Sequence, residues 1–216
     1  MALTLVIGNK AYSSWSLRPW ILMTHCGIAF DEVRIPLHAA DSNARIRSYS
    51  PAGRVPVLID GAVTVWDTAA IFEYLAEQYP DRTLWPRDRQ VRAQARSISA
   101  EMHSGFAALR SHMPMNVRHS LPGRGRTPEV LKEIERVVSI WTDCRTRHAA
   151  AGPFLCGNFS IADAMFAPVV TRFQTYQVEL DGPAREYADS MLALPAMQRW
   201  YREALIEAEM IAEYEP

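Results

Sequence analysis

Three short segments of this 216-residue chain carry side chains suited to chemistry. In the first, Lys10-Ala-Tyr-Ser-Ser-Trp-Ser-Leu-Arg-Pro-Trp20, three serines and a tyrosine sit just ahead of a helical pattern. A hydroxyl there can donate to a bound thiol and, helped by the positive end of the helix dipole, favour thiolate over thiol. Each unit of pKa depression so gained is worth about 1.36 kcal/mol. Ser13 and Ser14 are the candidates, Tyr12 stands behind them, and helix capping is the competing role for a serine at this place.

The second segment is Ser50-Pro-Ala-Gly-Arg-Val-Pro-Val-Leu58, where a proline stands at a strand start and cannot donate a ladder hydrogen bond. A trans Val55-Pro56 bond is the ordinary reading; a cis bond would turn the Val55 backbone groups outward to pair with an extended peptide. The third is Trp66-Asp-Thr-Ala-Ala-Ile71, in which Asp67 and Thr68 open a helix. Free amides and the dipole there favour an anion such as a carboxylate, while a plain Asp cap is the simpler reading, and both can hold together.

Regular elements must place these segments. Leu3 to Ile7 reads as a strand, Ser16 to Cys26 as a helix stopped by Gly27 in the left-handed conformation, and Phe30 to Leu37 as a second strand. Right-handed crossover makes those two strands parallel. Val55 to Ile59 and Val63 to Trp66 flank Asp60-Gly61 and predict an antiparallel hairpin. A helix follows Asp67 with apolar face Ala70, Ile71, Tyr74 and Leu75, and Pro80 marks its end. A domain boundary falls near 81–87, giving an α/β domain over 1–80 and an all-helical domain over 88–216. Helical patterns in the latter run over roughly 88–118, 128–150, 160–175 and 195–210, separated by Gly- and Pro-containing turns.

Composition narrows the function classes. Lys plus Arg number 23 against 24 Asp plus Glu, so no net field calls for nucleic acid or an anionic membrane. Cys26, Cys144 and Cys156 include no C-x-x-C pair, which argues against a disulfide framework, a metal site or a dithiol couple. No signal-peptide pattern and no membrane-length apolar run is present, and a reducing cytoplasm is the expected compartment.

Taken together with Gly157-Asn-Phe-Ser-Ile-Ala-Asp163, which is similar to a buried capping box, the three segments give the chain its likeness to a family. It resembles the cytosolic glutathione transferases over essentially its whole length, nearest to zeta, theta and beta-like bacterial members. The resemblance implies a thioredoxin-like N-terminal domain of order β-α-β-α-β-β-α, a C-terminal helical bundle, and a glutathione transferase working in detoxification without a metal. It implies that Val55, beside a cis Pro56, pairs with the cysteinyl backbone of glutathione, that Asp67 and Thr68 hold the γ-glutamyl end, and that Arg54 helps bind the tripeptide. Ser13 matches the hydroxyl that stabilises the thiolate, Ser14 and Tyr12 remain rivals, and Trp15 replaces the cysteine of a Ser-Ser-Cys motif. Lys10, Arg18 and His38 are candidates for the glycyl carboxylate.

A hydrophobic electrophile is expected between the domains, near Tyr12 and Arg172 and against the long helical run from about Glu101 to Arg118, which carries Met102, His103, Phe106, Met113, Met115 and Arg118. Zeta isomerases would carry an arginine near Thr175; here it is Arg172, about one turn earlier, which counts against that activity, but i and i+3 share a face, and a maleylacetoacetate-like isomerase stays as an alternative. A non-catalytic interaction module on the same fold is another. A cysteine-dependent thiol transferase needs a thiol at the helix start, and Cys26 lies about three turns too late. A homodimer is expected.

Overall fold

The computed structural model describes residues 2–215. Its first half is a four-stranded mixed sheet, β1 (Leu3–Ile7), β2 (Phe30–Arg34), β3 (Val57–Asp60) and β4 (Val63–Trp66), in the order β2-β1-β3-β4. β1 pairs parallel with β2, Leu3 opposite Phe30, and antiparallel with β3, Leu5 opposite Leu58. The side chains of β1 alternate as a pleated strand demands. Leu3, Leu5 and Ile7 enter the main core, while Val6 joins Ile35, Ile46 and Val57 on the other face, under α2 (Ser42–Tyr49). The hairpin turn falls at Gly61-Ala62, one residue later than the Asp-Gly pair suggests: Gly61 takes φ +57° as the first turn residue, and β4 starts at Val63.

Helix α1 (Ser14–His25) begins two residues earlier than the apolar pattern indicates and ends as predicted. Gly27 is left-handed at φ +65°, Ile28 N–H donates to Met23 O at 2.9 Å and Gly27 N–H to Thr24 O at 3.4 Å, which is the paired bonding of a Schellman motif. The last element of this half, α3 (Thr68–Gln78), is capped by Asp67, whose side chain accepts from Ala69 N–H at 2.8 Å.

The second half contains six α-helices among the described residues: α4 (Arg89–Ser104), α5 (Ala107–His112), α6 (Pro128–His148), α7 (Ile161–Thr175), α8 (Gly182–Leu192) and α9 (Pro195–Leu205). Two of them depart from the sequence pattern. The run over 88–118 is not one helix, because Gly105 closes α4 and Phe106 takes a left-handed φ of +57° before α5 starts. A Cβ at Gly105 would lie 2.8 Å from Glu101 O, so only glycine fits this close approach. Glu133 on α6 then satisfies the new helix start, accepting from Leu109 N–H at 2.6 Å. Helix α8 has no counterpart in the pattern, because Leu180-Asp-Gly-Pro183 reads as a separator; Pro183 instead occupies the first turn of α8, where its missing N–H is harmless.

Helix α7 is buried along nearly its whole length, and α1 packs against both α7 and α9. The Arg18 side chain on α1 donates from Nε to Met165 O on α7 at 3.0 Å. Asp163, fully buried, holds the start of α7 by accepting from Ser160 N–H at 2.8 Å, Leu155 N–H at 2.9 Å and the Ser160 hydroxyl at 3.1 Å. Beyond α9, residues 206–215 run back over the loop between β1 and α1, where Glu207 accepts from Lys10 N–H at 2.7 Å and Ala11 N–H at 3.1 Å.

Candidate functional site

The three chemistry-bearing segments meet at the seam between the halves, where the β1–α1 loop, the residues before β3 and the start of α3 face the ends of α4 and α5. Two adjacent cavities lie there. One, of about 620 Å³, is bordered by Tyr12, Ser13, Ser14 and His38 from the α/β half and by Arg110, Arg172 and Tyr214 from the rest of the chain. Its neighbour, of about 460 Å³, is bordered by Pro56, Asp67, Thr68 and His103. Trp15, Arg54 and Val55 border both, so the two form one continuous groove. The Val55-Pro56 bond is cis.

Ser13 occupies the N-cap position of α1, yet its side chain makes no capping bond; it donates to Ser16 Oγ at 2.7 Å. Ser16 Oγ also accepts the Gly8 N–H at 3.0 Å. The Ser14 hydroxyl has no protein partner among the described residues, so both serines present oxygen to the groove without being consumed as caps. Tyr12 is differently placed. Its hydroxyl donates to the Glu215 carboxylate, and burial followed by that bond holds its pKa above the usual phenol value. Asp67 takes φ +73°, a region L-residues rarely adopt and one that collects at ligand sites. Thr68, almost wholly buried, donates to Trp15 O at 3.3 Å and so ties the start of α3 to the start of α1.

Cations without carboxylate partners surround Trp15. The Arg18 guanidinium lies 4.2 Å from the ring centroid and that of Arg110 5.7 Å. Burial, reinforced by the charges of Arg172 and Arg110, pushes the Arg18 pKa down to about 9, and burial beside Arg110 takes Arg172 to about 10. Arg172 spends Nε on Met113 O and Nη1 on Pro168 O, and Arg110 donates to His103 O at 3.2 Å. Among the described residues none of the three arginines has an ion pair, so positive charge gathers where the two halves meet.

The remaining sequence candidates separate. Met102, Phe106 and Met113 are buried in the hydrophobic core and border neither cavity, whereas Met115 borders the larger one. The break at Gly105–Phe106 rotates the side chains beyond it relative to one continuous helix and turns Phe106 and Met113 inward, while Met102, ahead of the break, lies on the buried face of α4 with Ala95 and Ile98. Lys10 and Arg18 are also buried: the Lys10 ammonium is taken by Glu32 and Glu203 and sits 4.9 Å from the Trp20 ring centroid. His38 does border the larger cavity, 6.2 Å ring to ring from Tyr214. The sequence pattern did not single out Arg110 or Tyr214 at the groove, whereas His103 belongs to the 101–118 run expected there. Only the helical period past Trp15 and Asp67 would have drawn attention to the first two, and long-range pairing is not readable from period.

No group of three or more His, Cys, Asp or Glu side chains suited to a metal occurs among the described residues, and none of their helices is long and apolar enough to cross a membrane. Burial pushes the thiol pKa of Cys26 up to about 11 and those of Cys144 and Cys156 up to about 12.

A thioredoxin-like sheet joined to a helical bundle, with a hydroxyl-lined groove at the seam, defines a class of thiol-handling proteins. Residues 12–78 match the family model of the glutathione S-transferase N-terminal domain, and residues 90–203 that of the C-terminal domain. The chain belongs to the glutathione S-transferase family. It is 28% identical over 205 residues to Glutathione S-transferase Z1 of Arabidopsis thaliana, covering 88% of this chain and 89% of that one. It is 29% identical over 195 residues to maleylacetoacetate isomerase of Rattus norvegicus, covering 88% and 87%. Among solved structures, a glutathione transferase homolog from Burkholderia with bound glutathione is similar at a TM-score of 0.71 and 22% identity, covering 94% of this chain and 98% of that one.

Proposed function

We propose that this chain is a glutathione transferase in which residues 1–80 bind glutathione along the continuous groove and residues 88–216 complete the site for the second substrate. The observation that carries this reading is the meeting of Ser13 and Ser14 with Val55 in one cavity, and of Val55 with Asp67 and Thr68 in its neighbour. Laid along the groove, an extended tripeptide puts its γ-glutamyl end at the start of α3, its cysteine against Val55 and its thiol at the start of α1. Arg54, bordering both cavities, and His38 attract the carboxylates.

The thiol proton leaves to solvent, and the sulfur anion is stabilised by a serine hydroxyl and the free amides of α1. The thiolate then attacks an electrophilic carbon: a halide departs with the bonding electron pair, or an activated double bond takes up the electrons and a proton from solvent. Ser13 is the serine of choice, Ser14 the alternate. The working protein is a cytoplasmic homodimer. Calorimetric titration with glutathione, together with the ultraviolet absorbance of bound thiolate, tests the proposal on wild type and Ser13→Ala. Absence of binding at millimolar glutathione would overturn it.

One observation favours a second reading, glutathione-dependent isomerisation of a carboxylate-bearing substrate. Arg110 and Arg172 border the larger cavity without facing a carboxylate, and an anionic electrophile would supply the missing charge. A panel of neutral haloaromatics and carboxylate-bearing maleyl compounds separates the two activities.

A further inference from the structure

The groove's smaller cavity has a wall that no glutathione-binding motif of the α/β half explains. His103, in the last turn of α4, reaches across from the helical half and stands with Nε2 3.5 Å from Asp67 Oδ1. Its ring is held edge-on to Trp15 at 5.3 Å between centroids, and its backbone carbonyl accepts from Arg110 at 3.2 Å, so its position is fixed from two sides. Its Nδ1 is buried with no partner. A proton there would be a buried donor left unmade, which is strongly disfavoured, so the neutral ring carries its proton on Nε2, facing Asp67.

Asp67 is held at one oxygen by the Ala69 N–H and flanked there by His103. Oδ1 accepts the Ala69 N–H at 2.8 Å and faces His103 Nε2, while Oδ2 has no partner among the described residues. A carboxylate anchored at one oxygen presents the other to the cavity in a set direction. Ligand binding then need not order a freely rotating side chain, and the entropy otherwise lost on binding is spared.

We propose that His103 is a positioning residue for the amino-acid end of the ligand: its Nε2–H fixes Asp67 so that Oδ2 receives the α-ammonium of a γ-glutamyl group. The inference rests on the reading of the groove as a glutathione site and deepens it. The helical half then contributes to recognition of glutathione itself and not only of the second substrate.

The test compares two ligands on wild type, His103→Ala and His103→Gln by calorimetry. One ligand is glutathione; the other is its deamino analogue, glutaryl-cysteinylglycine, which keeps every group except the α-ammonium. If His103 acts through Asp67, removing the ammonium weakens binding about tenfold in wild type but only about twofold in His103→Ala, and His103→Gln, which keeps a donor, recovers most of the difference. Equal weakening of both ligands by His103→Ala, or no weakening of either, would overturn the proposal, since a merely structural role cannot tell the two ligands apart. Wild type binding neither ligand would instead overturn the underlying glutathione reading.

Discussion

Ser13 donates its hydroxyl proton to Ser16 Oγ at 2.7 Å, and the same Ser16 oxygen accepts the Gly8 N–H at 3.0 Å. The pair has two directions. When a sulfur anion arrives, Ser16 can turn its own proton toward Ser13, which releases the Ser13 proton to the sulfur and polarises it in the same stroke. Ser13→Ala is expected to lower kcat about tenfold or more with a neutral haloaromatic, and Ser16→Ala about threefold, with glutathione affinity little changed in either. Steady-state kinetics with the pH profile of kcat/KM checks this. An unchanged profile in Ser13→Ala, with a collapsed one in Ser14→Ala, would move the role to Ser14.

Arg110 offers a test of substrate charge. Its guanidinium borders the larger cavity and its one described side-chain bond is to a carbonyl, so its removal leaves no buried carboxylate behind. Arg110→Gln should leave turnover of a neutral haloaromatic within about twofold and lower kcat/KM for a carboxylate-bearing electrophile about tenfold, a difference near 1.4 kcal/mol. Equal effects on both substrates would remove the anionic reading.

Asp163 links pH to stability. Burial pushes its carboxyl pKa up to about 6 despite the bonds it accepts from Leu155, Ser160 and the Ser160 hydroxyl. An unfolded aspartate releases its proton near pH 4. Between about pH 4 and 6 the folded state therefore binds the extra proton, and this group's contribution to stability falls as pH rises through that window and is level above it. Urea unfolding at a series of pH values should show that slope in wild type and lose it in Asp163→Asn. The same substitution keeps an acceptor for one of the two buried N–H donors and turns an amide NH2 toward the other, which should cost about 3 kcal/mol at neutral pH.

The cysteines should be bystanders. With a pKa of about 11, the half-buried Cys26 is thiolate to only about 0.03% at pH 7.5, and Cys144 and Cys156 to still less. Iodoacetamide should modify native protein over hours, and Cys26→Ser should keep full activity. Rapid formation of a mixed disulfide with glutathione at Cys26, read by mass spectrometry, would revive a thiol-transferase chemistry.

Local chemistry was readable from the sequence wherever cause and effect lie within a few residues. Gly27 announces the end of α1, Asp67 the start of α3, and Ser160 with Asp163 the start of α7, because each acts on its own backbone neighbours. The pattern fails where partners are far apart. Arg118 looks like a groove residue on a long helix, yet it lies outside any helix, and its guanidinium donates to Ala204 O at 3.1 Å and Glu209 O at 2.9 Å, also binds Glu207 O, and lies 5.6 Å from the Tyr12 ring centroid. Met102 and Met113 have the residue type of a pliable pocket, but Met102 lies on the buried face of α4 and Met113 beyond the break at Gly105, and both enter the core. The groove floor and His103 on its far wall were legible, while Arg110 and Tyr214 depended on packing between halves.

That packing sets a limit on dissecting the molecule. Trp20, Leu17 and Ile21 of α1 are fully buried, and α1 is covered by α7 and α9 while the loop ahead of it is gripped by Glu203 and Glu207. A fragment ending near residue 84 would bare an apolar flank, take Glu203 from the Lys10 ammonium and leave the Arg18 guanidinium without Met165 O. Such a fragment should express as inclusion bodies, whereas the intact chain should melt in one cooperative step that bound ligand, bridging both halves, moves upward as a whole.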